Sequence, residues 1–251
     1  MSFSSLPTEL VRQIIECSVP STSHLTTHNE RQSTLRALCL VSRLFRQIAQ
    51  PLLWNSIRIR STHQLDAVMG SGAANGELCI FGKIVLDTGS NQSWSSMQIS
   101  RLVEIGESLH TLVLASWCAD SSDLTVLSQL PNLTKLVLVN GHFTFSPHTI
   151  LPKVNSLAVG YRSLEPVKSI LDPKALPSLR ELVLDDLDDE DGLDELPRQP
   201  FVEFLCQLEM LILGFDQRRG IPDCIIPILS QTRFQHIVDH PRDFALLRQG
   251  I

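Results

Sequence analysis

A short pattern of apolar and polar positions returns along most of the chain. It reads apolar-x-x-apolar-x-apolar, and its copies begin at positions 81, 109, 133, 154, 179 and 208, as FGKIVL, LHTLVL, LTKLVL, VNSLAV, LRELVL and LEMLIL. A weaker copy, WNSIRI, begins at position 54. Each copy predicts a short strand, and a fixed motif that returns after a step of twenty-odd residues is typical of a solenoid. We therefore expect parallel strands in register, which bury the first, fourth and sixth side chains of every copy in one core.

The fifth position of each copy is expected on the opposite, concave face of such a stack. Reading across the copies gives Arg58 and then an apolar row of Val85, Val113, Val137, Ala158, Val183 and Ile212. This row predicts a groove that holds a segment of a target protein. Two other interpretations stay open, because β-branched residues favour strands in any setting and because a loop could cover the row.

The segments between the copies must bring the chain back to the start of the next strand. The stretches 123–131, 165–177 and 201–208 predict helical returns. GSGAANGE, 70–77, predicts a flexible turn, because its glycines do not fit a phosphate-binding loop. The run 185–195 holds eight acids and predicts a loop, either solvated or suited to a basic partner. It does not have the Gly and Glu positions that a calcium loop of the EF-hand type needs.

The first sixty residues have a helical pattern instead. LPTELVRQIIE, 6–16, predicts a short helix, and the polar stretch 18–33 predicts a loop. A second helix is expected from about Leu35 to Gln50, because Pro51 follows. Two of its faces are apolar, and one short neighbouring helix cannot cover both. Part of this apolar surface is therefore expected to meet something else.

Charge is divided unevenly along the chain. Residues 1–60 have a net charge of +4, whereas residues 61–251 have a net charge of −10. A basic N-terminal part on an acidic body indicates two surfaces with different partners, and the acidic body argues against nucleic acid. We found no apolar run long enough for a membrane helix and no signal peptide, so the cytoplasm or the nucleus is expected.

The residues that could carry chemistry form no catalytic or metal-binding motif in the sequence. The six cysteines contain no C-x-x-C pair and are interpreted as buried, inert thiols. No cofactor and no metal are expected. An enzyme that uses Cys or His would need a cleft with a perturbed titratable pair, and the apolar concave row offers no candidate.

Residues 5–60 resemble an F-box, the adaptor-binding motif of cullin-RING ubiquitin ligases. The resemblance lies in Leu6-Pro7 with Glu9-Leu10, in Ile14-Ile15, in Leu38 to Arg43 with Phe45-Arg46, and in Ala49 with Pro51 to Trp54. The polar stretch 18–33 is longer than the family's usual connection. The resemblance implies contact with a Skp-type adaptor through Leu6, Pro7, Leu10, Ile14, Ile15, Leu38, Val41, Phe45, Ile48, Leu53 and Trp54. Leu38, Val41, Phe45 and Ile48 are expected to divide between internal core and interface, and the alternative is that all of these residues form only a small helical core.

Three of the repeated strands follow a Leu-Pro step, at Pro131, Pro152 and Pro177, and this pattern resembles irregular leucine-rich repeats. The expected fold is therefore α/β, with an N-terminal helical F-box at 1–60 and a leucine-rich-repeat-like solenoid of parallel strands and outer helices at 61–251. The two resemblances imply a non-catalytic, substrate-recognition subunit of a Skp-cullin-F-box ubiquitin ligase. Its partners would be the adaptor, through it a cullin, and a target protein held by the repeats. The alternatives are an adaptor-bound, non-degradative scaffold and a leucine-rich-repeat interaction protein.

Overall fold

The computed structural model describes residues 6–20, 28–75, 81–88, 94–116, 121–139, 141–160, 170–187, 205 and 207–215. The helices are α1 (Thr8–Ser18), α2 (His28–Val41), α3 (Arg43–Trp54), α4 (Thr62–Asn75) and α5 (Ser96–Ile105). The strands are β1 (Ser56–Ile59), β2 (Lys83–Thr88), β3 (Thr111–Ser116), β4 (Ser121–Asp123), β5 (Lys135–Val139), β6 (His142–Thr144), β7 (Ser156–Val159), β8 (Glu181–Leu187) and β9 (Met210–Phe215). The described chain is a mixed α/β protein with a mostly parallel sheet.

The first three helices pack around a small core of their own. Pro7 is the N-cap residue of helix α1, and its carbonyl accepts the N–H groups of Leu10 and Val11, both at 3.1 Å. Val11 and Ile15 lie one turn apart on the buried side of α1. The core consists of Val11, Ile15, Val19, Leu35, Phe45, Ile48 and Ala49.

The boundaries of the second and third helices differ from the sequence prediction. Helix α2 begins at His28, inside the stretch that was predicted to be a loop, because His28 and Arg31 share its buried side with Leu35. The single helix expected from Leu35 to Gln50 is two helices. Ser42 is extended between them, and its hydroxyl oxygen accepts the N–H of Phe45 at 3.3 Å as the N-cap of α3.

The predicted helix end at Gln50 is also wrong. Helix α3 continues through Pro51 to Trp54, and the carbonyl of Pro51 accepts the N–H of Asn55 at 2.9 Å. A proline removes only one backbone donor. The side chains of Leu52 and Leu53 pack against the helical core, so burial offsets that loss.

Every copy of the repeated pattern forms a strand, and the strands pair in parallel in the predicted register. The seven-stranded sheet has the order β1-β2-β3-β5-β7-β8-β9. The fourth positions pair across the whole sheet, from Ile57 with Ile84 to Leu182 with Leu211. Between β8 and β9 the register shifts after Leu184.

The same backbone contact recurs at the start of each strand. The carbonyl at the second position of a copy accepts two successive N–H groups of the next copy, as Asn55 does from Gly82 at 3.0 Å and Lys83 at 2.8 Å. The six residues that accept in this way are Asn55, Gly82, His110, Thr134, Asn155 and Arg180. An added Cβ at Gly82 would lie 2.3 Å from the Asn55 side-chain oxygen, so the exposed Asn55 side chain would have to move to admit a larger residue there.

The main core lies on the side of the sheet that carries the first, fourth and sixth positions, as predicted. At these positions the described side chains from β2 to β8 are buried, and they are Phe81, Ile84, Leu86, Leu109, Leu112, Leu114, Leu133, Leu136, Leu138, Val154, Leu157, Val159, Leu179, Leu182 and Leu184. Leu65 and Met69 of α4, Ile99 and Leu102 of α5, and Trp94 join the same core.

The return segments follow the prediction less closely. Within 123–131 a short 3-10 helix spans Thr125–Gln129, whereas the described part of 165–177 has a 3-10 residue at Ile170 and then bends and turns. Most of 201–208 lies outside the described residues. The turn predicted at 70–77 is wrong as far as Asn75, because α4 extends that far. A two-stranded parallel sheet of β4 and β6 was not predicted.

Candidate interaction surfaces

Helix α1 has an apolar side that the described protein leaves open. Leu10 is 45% exposed and Ile14 is 43% exposed, and these residues lie one turn apart. Pro7 is also exposed, whereas Val11 and Ile15 are fully buried in the helical core. Large apolar side chains that remain in water on one helix side are typical of an interaction surface.

The other two N-terminal helices add exposed apolar side chains near their ends. Leu40 is 79% exposed and Val41 is 62% exposed, at the end of α2, and Trp54 is exposed at the end of α3. The sequence did not identify Leu40 as a contact residue, because a single helix through 35–50 does not place it on either apolar side. The break at Ser42 is the local signal that could have revealed it, since serine favours helix N-caps.

The residues expected to contact an adaptor therefore divide into three groups. Ile15, Phe45 and Ile48 are buried in the helical core, and Leu6, Leu38 and Leu53 are partly buried against it. The exposed residues are Pro7, Leu10, Ile14, Val41 and Trp54.

The apolar row at the fifth position is mostly buried as well. Val85, Val113, Val137 and Ala158 are buried, and together with Ala115 and Val139 they form a second hydrophobic cluster. Val183 and Ile212, at the β8–β9 end, are partly exposed. In this structure the row therefore presents accessible surface at its β8–β9 end rather than along a continuous open groove.

The β1 end of the same row is cationic. Arg58 takes the fifth position of β1, and its Nε donates to Oδ2 of Asp87 at 3.0 Å, while its Nη2 contacts the same oxygen. The side chains of both residues are buried. Nε of Arg60 lies 4.0 Å from Oδ2 of Asp87, and the Arg60 side chain is about half exposed.

Beside this ion pair lies a cleft of about 690 Å³ between α2, the end of α3, β1 and α4. It combines apolar side chains with donors and cations. The lining residues that carry these properties are Leu53, Trp54, Ile57 and Val68, and His28, Gln32, Arg36, Arg58, Arg60 and Gln64. None of the described residues that line the cleft is acidic.

The positive charge around the cleft shows in the pKa of two groups. The pKa of His28 is lowered to about 4, first by burial and then by repulsion from Arg58, Lys83, Arg31 and Arg60. The pKa of Lys83 is lowered to about 8, first by burial and then by Lys135 and Arg31. His28 is therefore neutral at pH 7. Neither group belongs to the apolar fifth-position row, on which the sequence-based expectation about an enzyme depended.

The described part of the chain contains few other side chains that could bind a metal or react. No group of three or more His, Cys, Asp or Glu residues there could hold a metal ion. Cys17 is an exposed thiol and Cys39 is partly exposed, so the interpretation of buried thiols does not hold for Cys17. Within the same described ranges, no helix is long and apolar enough to cross a membrane.

Fold and surfaces together define a mixed α/β protein in which three N-terminal helices precede a mostly parallel sheet, and the second and third of these helices border a cationic cleft. No protein-family model matches the chain, and a search of curated proteins finds no significant match.

Proposed function

We propose that this protein is a substrate-recognition subunit of a Skp-cullin-F-box ubiquitin ligase. The observation that carries the proposal is the open apolar side of α1, where Leu10 and Ile14 follow Leu6-Pro7 in the order that resembles an F-box. The same helix already uses Val11 and Ile15 for the helical core. Leu10 and Ile14 are therefore available to a second protein without loss of the internal packing.

An adaptor of the Skp type would cover this open side of α1. Pro7 and Val41 are also exposed, so the contact would extend from α1 to the end of α2, whereas the exposed Trp54 of α3 lines the cleft. Ile15, Phe45 and Ile48 would act indirectly, since they hold the helices in place. Full burial of an aliphatic side chain contributes about 1.5 to 3 kcal/mol, and covering Leu10 and Ile14, which are 45% and 43% exposed, would contribute about half of that for each. The loss of both would therefore weaken such a complex.

The rest of the chain would hold the target protein. The in-register sheet gives a rigid support for this task, because a buried parallel sheet has little freedom to deform. The proposed mechanism is proximity. Binding of the target raises the local concentration of its lysines near the ubiquitin-charged enzyme of the ligase, and this chain performs no chemistry itself. Such a subunit would work in the cytoplasm or the nucleus.

The test is co-purification with a Skp-type adaptor, comparing the wild-type protein with a Leu10→Asp/Ile14→Asp double variant. We expect a one-to-one complex with the wild type and at least a tenfold loss of affinity in the double variant. The matched control is Met97→Asp/Ile150→Asp, which places the same charges on exposed apolar side chains outside the N-terminal helices and should bind normally. Circular dichroism must show that both variants remain folded.

Two results would contradict the proposal. If the folded wild-type protein does not bind the adaptor, the F-box resemblance does not extend to function. If the double variant binds as well as the wild type, the interface does not lie on α1. A stable complex whose target persists equally with and without this protein would instead favour the non-degradative scaffold.

A further inference from the structure

We propose that the cleft between α2, β1 and α4 binds an acidic peptide segment of a partner protein. This inference deepens the proposed function and rests on it in one respect, since the partner would be the ligase target. The binding site itself is argued from charge, shape and the residues that line the cleft.

The lining of the cleft suits a peptide that carries both acidic and apolar side chains. Leu53, Ile57 and Val68 provide apolar contact area. Arg36 and Arg60 lie in the same lining, and both are exposed. A cleft of about 690 Å³ is within the size range of sites that enclose a small ligand or a few residues of a peptide.

The charge balance leaves the cleft positive. Asp87 is the carboxylate that pairs with Arg58, and its Oδ2 lies 4.0 Å from Arg60 Nε. Asp87 can neutralise only one of the cations Arg58 and Arg60. Arg31 and Arg36 on the neighbouring helix α2 add two further positive charges. Burial is the largest cause of the lowered pKa of His28, and repulsion by Arg58, Lys83, Arg31 and Arg60 adds to it, in keeping with a positive environment around this side of the cleft. A site of this kind attracts carboxylates both by steering and by direct contact.

The neighbouring surface favours a short acidic peptide over a nucleic acid. Residues 61–251 have a net charge of −10, so a long polyanion that extends beyond the cleft would be repelled by the body of the protein. A short peptide places its few carboxylates near Arg36 and Arg60 and its apolar side chains near Leu53 and Ile57.

The test uses a fluorescein-labelled peptide of sequence Glu-Leu-Glu-Asp-Leu-Glu-Asp and measures binding to the full chain by fluorescence anisotropy. We expect saturable binding that weakens as salt is raised, and no binding of a control peptide with Gln and Asn in place of the acids. Arg36→Glu/Arg60→Glu should weaken binding at least tenfold. Arg12→Glu/Lys174→Glu makes the same change in net charge at exposed positions outside the cleft and should bind within about twofold of the wild type.

Each contrary outcome identifies a different error. If the acidic peptide does not bind, or if both double variants bind it equally, the cleft is not the site. If inorganic phosphate or a DNA duplex competes as well as the unlabelled peptide at equal charge concentration, the ligand class is wrong. Adaptor co-purification of Arg36→Glu/Arg60→Glu separates this inference from the proposed function: the adaptor complex should persist, and its loss would assign the cleft to the adaptor interface instead.

Discussion

The ion pair between Arg58 and Asp87 should behave as a buried pair, and this prediction can be tested quantitatively. Their side chains are only 8% and 9% exposed, and they join the neighbouring strands β1 and β2. If Asp87 is replaced by Ala, the charge of Arg58 stays in a site that already repels a proton from His28. Removal of one partner of a buried pair costs about 3 to 5 kcal/mol of unfolding free energy.

Urea denaturation followed by circular dichroism measures this cost. Asp87→Ala should lower the free energy of unfolding by about 3 to 5 kcal/mol, which is a large part of the stability of an ordinary domain. An Arg58→Met/Asp87→Val double variant removes both charges and keeps most of the volume. It should be closer to the wild type than Asp87→Ala is, because neither variant side chain needs a charged partner.

The exposed pair between Arg101 and Asp66 provides the control. Its side chains are 38% and 57% exposed, and it joins α5 to α4. Asp66→Ala should cost at most about 1 kcal/mol, since exposed ion pairs are screened by solvent. A cost below about 1 kcal/mol for Asp87→Ala as well would refute the reasoning, because burial would then not decide the strength of the pair.

Three further predictions concern the core, the buried histidine and the junction between helices and sheet. Leu136→Ala, at a fully buried position of the central strand β5, should cost about 2 to 5 kcal/mol in urea denaturation, whereas Met97→Ala at an exposed position should change stability by less than about 0.5 kcal/mol. Because the pKa of His28 falls to about 4 on folding, the unfolded chain binds more protons below pH 6.5, and the stability that is fully present above that pH is lost as pH falls towards 4. The loss from this group should reach about 2 kcal/mol at pH 5, and unfolding curves of His28→Gln should lack it; an equal pH dependence in the variant would contradict the assignment. Gln32→Ala removes two hydrogen bonds to backbone carbonyls and should cost about 1 to 3 kcal/mol, with faster amide exchange at the start of β1 as the local readout. Unchanged exchange there would mean that Gln32 does not fix the junction.

The strands could be predicted from the sequence because the same packing requirement recurs in every copy. Every copy must bury its fourth and sixth side chains against the neighbouring copy, so Leu112, Leu136 and Leu157 recur at equivalent places and pair in register. A shift of one residue would move these side chains to the opposite face, so the apolar pattern specifies the register strongly.

The helices were harder to predict, because their packing does not follow apolar periodicity. Helix α2 buries His28 and Arg31, so its first turns read as a polar loop. Helix α4 continues through Gly70 since Leu65 and Met69 anchor it on the main core, and tertiary packing outweighs a weak helix propensity.

The cleft could not be read from any local motif. Arg36, Arg58 and Arg60 reach it from α2 and from the β1 region, and their arrangement depends on how the helices dock on the sheet. The sequence indicated only that the charge near the site is positive, through the net charge of +4 over residues 1–60. The strand pattern also could not predict that Val85 and Val113 are buried, because alternation of side chains does not indicate what covers either face of the sheet.

The junction between the helices and the sheet links the two proposed interfaces mechanically. Asn55 alone separates α3 from β1, and its carbonyl accepts the N–H groups of Gly82 and Lys83 at the start of the next strand. Gln32 of α2 donates to the carbonyl of Leu53 at 3.3 Å and to that of Ser56 at 2.6 Å, on the two sides of this connection. The helical unit therefore has little freedom to turn relative to β1. An adaptor on α1 and a peptide in the cleft would be held in a fixed relative position, and a ligase that works by proximity needs this rigidity, because effective concentration falls as the connection between two bound partners loosens.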